Sequence, residues 1–144
     1  MTQNPTIKVP PERLEQLKAI GAALDLSIAD TVGHLIRAEI ERGTISDDLP
    51  GIQVRPSRGK LSIRFDDHDA TLVSTASAKA LADTLAEITA GGVGGFVNID
   101  QDYLVMRQGN GIKITLPWPK GPIKVLSNDV ARDLSRVIVK RLAS

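Results

Sequence analysis

The sequence predicts an α+β protein: a two-stranded β-ribbon shared between two chains, two helices on each, then an α+β domain of two β-hairpin–helix units. Three observations lead there. The alternating run Thr6-Ile7-Lys8-Val9 stands near the start and is followed at once by two helical patterns. A lone short strand is not stable in water, so it needs a partner, and the simplest partner is the same strand of a second copy. Farther along, a strand–turn–strand–helix pattern occurs twice, over 60–92 and 103–138.

Each element has a local cause. In the first run Ile7 and Val9 point one way and Thr6 and Lys8 the other. Pro10 and Pro11 stop the strand and suit the start of a helix. Leu14, Leu17, Ile20 and Leu24 then recur at helical spacing, with Gly21 marking a close contact. Asp25-Leu26 is a turn, and Ser27 is a good N-cap with Asp30 three places on. The second helix carries Ala29, Val32, Ile36 and Ile40 on one face, and Gly43 ends it. Residues 46–59, rich in Gly, Pro, Ser and Asp, read as a linker with a short strand at Ile52-Gln53-Val54. The expected domains are therefore 1–45, the linker 46–59, and 60–144.

In the third segment, Lys60 to Phe65 and Ala70 to Val73 pair across a turn, and a helix bearing Ala78, Leu81, Ala82, Leu85 and Ile88 follows, ending at Gly91-Gly92. Tyr103 to Arg107 and Ile112 to Leu116 pair across Gly109-Asn110-Gly111, a strong hairpin signal. Their helix starts near Ser127 and shows Val130, Leu134, Val137 and Ile138. Ala78-Lys79-x-Leu81 echoes Ala131-Arg132-x-Leu134. Phe96 to Ile99 is an extra strand joining the two units, and a Pro-rich insertion, Pro117 to Pro122, precedes the last helix. Trp118 within it reads as a plug over the core.

Composition narrows the function. The 144 residues hold 42% apolar side chains, enough for a core, and no cysteine, which fits a reducing cytoplasm and excludes disulfides and thiolate metal sites. No apolar run is long enough for a bilayer, so no membrane partner is expected. Aromatics are 3%, too few for a base-stacking surface of the kind that holds single strands. The only histidines, His34 and His68, are far apart, no nucleophile–base set is legible, and Asp66-Asp67-His68-Asp69 reads as a turn. No catalytic residue, metal or cofactor is expected. Gly91 to Gly95 lacks the Lys-Ser/Thr of a phosphate loop and reads as a connector.

Residues 4–43 resemble the ribbon-helix-helix family of DNA-binding proteins, the Arc and MetJ type. Thr6-Ile7-Lys8-Val9-Pro10, Glu12-Arg13-Leu14-x-x-Leu17, Ala22-Ala23-x-x-Leu26-Ser27 and Ala29-x-x-Val32-x-x-Leu35-Ile36 carry the resemblance, without gaps. It implies a homodimer whose paired strands enter the major groove of double-stranded DNA. The dimer core would be Ile7, Val9, Leu14, Leu17, Val32, Ile36 and Ile40. The outward side chains Asn4, Thr6 and Lys8 suit base reading: Asn pairs with adenine, Lys donates to guanine, and Thr serves several edges. Free N–H groups at Ser27, Ile28 and Ala29, at a helix start, suit a phosphate.

One feature opposes this picture. Residues 1–45 carry five basic and six acidic side chains, whereas affinity for DNA rests on neutralising phosphates. Arg55, Arg58 and Lys60 are the candidate compensating phosphate contacts. The layout is similar to that of the nickel-responsive regulators, a ribbon-helix-helix head with an α+β ligand domain, but their clustered His and Cys ligands are missing. The resulting expectation is a cytoplasmic, homodimeric, sequence-specific transcriptional repressor acting on its own operon. Residues 60–144 would assemble dimers into tetramers or bind a ligand or protein partner. The alternatives are a plasmid relaxosome accessory, partition or antitoxin-type DNA-binding factor, and, from another class, a protein-interaction module that does not bind DNA.

Overall fold

Pro10 is the N-cap of the first helix and Pro11 its first residue. The computed structural model describes residues 5–92 and 95–144. Helices α1 (Pro11–Leu24) and α2 (Ile28–Glu41) come first. They are followed by β1 (Ile52–Ser57), β2 (Lys60–Phe65), β3 (Thr71–Val73), α3 (Thr75–Thr89), β4 (Gly95–Asn98), β5 (Tyr103–Gln108), β6 (Gly111–Thr115), β7 (Ile123–Ser127) and α4 (Asn128–Leu142). The protein is thus α+β, with two antiparallel sheets ordered β1-β2-β3 and β4-β5-β6-β7. It divides into two units, Met1–Ile45 and Ser46–Ser144. No single helix among the described residues is long and apolar enough to cross a membrane.

The helix ends follow their sequence signals. Ser27, Ser74 and Ser127 each accept a bond from the N–H three residues on, at 3.1, 3.1 and 3.2 Å. Gly43 and Gly91 take positive φ just past α2 and α3. There, Gly43 N–H donates to Ile40 O and Thr44 N–H to Glu39 O, while Gly91 N–H donates to Ile88 O and Gly92 N–H to Glu87 O.

Two expectations are corrected. The segment 46–59 is more than a linker: the short strand expected at Ile52-Gln53-Val54 extends to Ser57 as β1, paired with β2 from Ile52↔Phe65 to Ser57↔Lys60. Arg58 and Gly59, both at positive φ, form the two-residue turn, a type I′ geometry that matches strand twist. The two units of strand–strand–helix each gain a third strand. β1, β2, β3 and α3 form one, and β5, β6, β7 and α4 the other, with β4 added at the edge of the second sheet. A third difference concerns Thr6–Val9: residues 5–10 form no strand.

The duplication is regular. Leu61 pairs with Val73 in the first sheet and Ile112 with Leu126 at the same place in the second. Counting from Ser74 and Ser127, Ala78, Leu81, Ala82 and Leu85 match Ala131, Leu134, Ser135 and Ile138, and all eight are buried. The small residues let α3 and α4 approach closely, and Ser135 Oγ donates to Ala82 O at 2.7 Å across the contact. The inner sheet faces supply Ile52, Val54, Leu61, Ile63, Phe65, Val105, Ile112 and Ile114 to the same core. Each helix packs on both sheets, α3 on β2 and β5, α4 on β1, β6 and β7. Tyr103, buried at the start of β5, reaches Ala80 O at 3.1 Å and Thr84 Oγ1 at 2.6 Å. Trp118 is half-buried, its N–H donating to Asp102 O. The outer face of the second sheet leaves Val97, Met106, Ile123 and Val125 exposed.

An ion cluster ties the start of the second unit to its end. Asp47 accepts from Arg141 Nη1 at 3.1 Å and Nη2 at 2.8 Å, and pairs with Lys140 at 2.8 Å. Arg141 also donates to Val54 O and Asp48. These hydrogen bonds, with Arg141 foremost, hold the Asp47 carboxyl well below the usual carboxylate range. A carboxyl that binds its proton less tightly when folded stabilises the fold above its unfolded value of about 4, and that stability fades as pH falls toward the folded value. Asp47→Asn should therefore cost about 1–3 kcal/mol near neutrality. In urea melts the gap to wild type should close progressively below about pH 4; a gap that does not change with pH would sink this account.

Candidate nucleic-acid interface

The first unit is two short helices at a sharp angle. The chain bends by 86° between α1 and α2. Asp25, at φ 57°, caps α1 in the left-handed region, and Leu26 N–H donates to Gly21 O at 2.8 Å. A Cβ on Gly21 would stand 2.7 Å from Leu26 O and 2.8 Å from Thr31 Oγ1, so only glycine admits this corner. Thr31 Oγ1 donates back to Ser27 O at 2.7 Å. The sequence signals at Gly21, Asp25 and Ser27 converge on this one turn.

The unit buries almost nothing apolar. Among its described residues only Gly21, Thr31 and Gly33 are buried. Of the expected dimer core, Leu14, Leu17, Val32 and Ile40 are half-buried, while Ile7 is 82% exposed, Val9 40% and Ile36 47%. Leu24, Ile28, Leu35 and Ile45 are exposed as well. Every buried apolar side chain of the main core lies at Ile52 or beyond.

The candidate base readers Thr6 and Lys8 are exposed ahead of α1, and Asn4 lies outside the described residues. Ser27, Ile28 and Ala29 are exposed at the start of α2, where Ser27 Oγ takes the Asp30 N–H. That leaves the Ile28 and Ala29 N–H groups directed at solvent. Asp25 and Asp30 flank them, so a phosphate held there meets two carboxylates and needs cations from elsewhere.

Arg55, Arg58 and Lys60 lie apart from these groups in sequence and in unit. Arg58 is in the β1–β2 turn, Lys60 opens β2, and Arg55 is on the outer face of β1. None of the three has an ion-pair partner among the described residues. Two side chains on the same sheet face escaped the sequence reading. Gln53 stands opposite Arg64 in the register, and Arg55 is one step along from Gln53. The alternation Lys60-x-Ser62-x-Arg64 carries the signal for Arg64, once β2 is known to have a partner on its left. Asp66 pairs with Lys124 at 2.7 Å, which makes the Asp66 to Asp69 turn a tie between the sheets.

A scan of protein-family models, a search of curated proteins and a search of solved structures each found no match to this chain.

Proposed function

We propose that the chain acts as a homodimer that binds double-stranded DNA through a ribbon formed by residues 6–9 of both copies, and so regulates transcription. One observation carries the reading: among its described residues the first unit exposes Ile7, Val9, Leu35 and Ile36 and buries no apolar side chain of its own. A segment of this size lacks the area to stabilise itself. A second copy would supply the missing half, pairing strand to strand and α2 to α2. Ile7 and Val9 would then turn inward and Thr6 and Lys8 outward, a two-stranded ribbon of the width the major groove admits. Ser27, Ile28 and Ala29 would position a phosphate, and Arg58 and Lys60 would add charge that the acidic head lacks.

The test is a titration of the full chain against its own upstream DNA by fluorescence anisotropy at several salt concentrations. The pair Thr6→Ala and Lys8→Ala should lose sequence preference, by about 1–3 kcal/mol for each base contact, while sedimentation still reports a dimer. Affinity should fall steeply with salt, since each phosphate contact releases counterions. Unchanged sequence preference in the double variant would sink the ribbon assignment. A dimer with no DNA affinity at all would favour the second reading, a protein-interaction module, which the surplus of acids in residues 1–45 supports.

A further inference from the structure

The outer face of the β1–β2 hairpin holds a cleft of about 450 Å³, within the range of small-molecule sites. Gln53, Arg55 and Arg64 line it from the strands, Asp48, Leu49 and Gly51 from the segment before β1, and Asp66 and Asp67 from the turn after β2. Its charges are unevenly matched. Asp66 is held by Lys124 at 2.7 Å and Asp48 by Arg141 at 3.2 Å. Arg55 and Arg64 have no ion-pair partner among the described residues, and Asp67 alone among the lining acids is likewise unmatched. The Nε–H of Arg64 is shut off from solvent with no acceptor, and a buried donor of this kind is costly unless something accepts from it.

We propose that this cleft binds a small molecule through a phosphate or carboxylate group, held by Arg55 and Arg64. An oxyanion in the cleft can accept from the guanidinium groups of the two arginines that line it. Two guanidinium groups on one sheet face also match its geometry, since each can present paired N–H donors to two oxygens. The two rims meet at Gly51: its carbonyl accepts from Asp66 N–H at 2.8 Å, and at φ 77° its missing Cβ leaves room for Asp66 Oδ1 and Lys124 Nζ. A nucleic-acid backbone fits less well. It presents a continuous line of phosphates, and the acids at positions 48, 66 and 67 rim the cleft. An isolated anion passes between them. The assignment is independent of DNA binding by the first unit.

The experiment is a titration of the full-length, nitrogen-15-labelled chain with inorganic phosphate, against sodium chloride at matched ionic strength. The Gln53 side-chain amide and the Arg64 Nε–H should show saturable shifts with phosphate and not with chloride. Arg64→Lys keeps the charge and removes the planar guanidinium fork; it should weaken binding about tenfold or more. Arg55→Gln, at an exposed position, should weaken it comparably without touching the fold. Asp67→Asn removes the unmatched carboxylate and should tighten phosphate, an effect that a purely structural role for these residues would not produce. A parallel titration with acetate identifies which oxyanion the cleft prefers, and saturation by either supports the site. Shifts that do not saturate, or that chloride reproduces, overturn it. Adding duplex DNA should leave the phosphate response in place; its loss would assign both arginines to the DNA backbone and overturn the small-ligand assignment.

Discussion

A chain carrying Ile36→Asp should sediment as a monomer at micromolar concentration and lose specific DNA binding. Ile36 lies on the exposed apolar face of α2, 47% accessible in one chain. Burying an isoleucine fully is worth about 1.5–3 kcal/mol, and a C2 interface presents the substituted position twice. A carboxylate there must instead be desolvated or must hold the helices apart. A loss of about 3–4 kcal/mol moves the dimer Kd by more than a hundredfold. A monomer has only one copy of residues 6–9 and cannot form the proposed ribbon, so specific binding should fall by at least as much. Gln16→Asp, on the exposed side of α1, is the control and should remain a dimer. If the Ile36→Asp chain is still dimeric in sedimentation, the first unit is not the dimer interface.

How much of this is legible in the sequence depends on whether a signal is local. The helix ends were legible because their causes are local: a serine hydroxyl meets an N–H three residues away at Ser27 and Ser127, and a glycine takes positive φ after Glu41 and Thr89. The Gly109-Asn110 hairpin was legible for the same reason. Only the first half of β1, Ile52-Gln53-Val54, is legible, because Pro56 lies inside the strand and Asp47, Asp48, Pro50, Gly51 and Gly59 punctuate its surroundings. Proline is admissible there only because β1 is an edge strand, where its missing N–H costs no ladder bond. β7 was hidden behind Pro122 in the same way, being the other sheet's edge. The candidate ligand cleft was not legible at all. It exists only because the β1–β2 register sets Arg64 opposite Gln53, and register is not written in either strand alone. The ribbon reading has the opposite character. Its residues follow from alternation and resemblance, and it is a proposal argued from the apolar side chains that the first unit leaves exposed.

Leu81→Ala and Leu134→Ala should destabilise the second unit severely and to a similar extent. The two leucines occupy the same place after Ser74 and Ser127 in the duplicated units, and both are at most 1% exposed. Each is flanked by small residues at the α3–α4 contact, Ala78 and Ala82 in one helix, Ala131 and Ser135 in the other. The helix backbones are therefore already close, and little can move in to fill a cavity. Leucine-to-alanine changes at such sites cost about 2–5 kcal/mol, toward the upper end where the surroundings cannot collapse. Against a total stability of roughly 5–15 kcal/mol for a domain, either change takes a large share. A unit of this size should melt roughly 10–30 °C lower. Calorimetry on the two full-length variants is the measurement. Cost of the same order in both would follow from the near twofold arrangement, in which each helix rests on strands of both units. If one variant melted within about 2 °C of wild type while the other collapsed, the two units would not be energetic equivalents, and the duplication would be a pattern of sequence without a shared load.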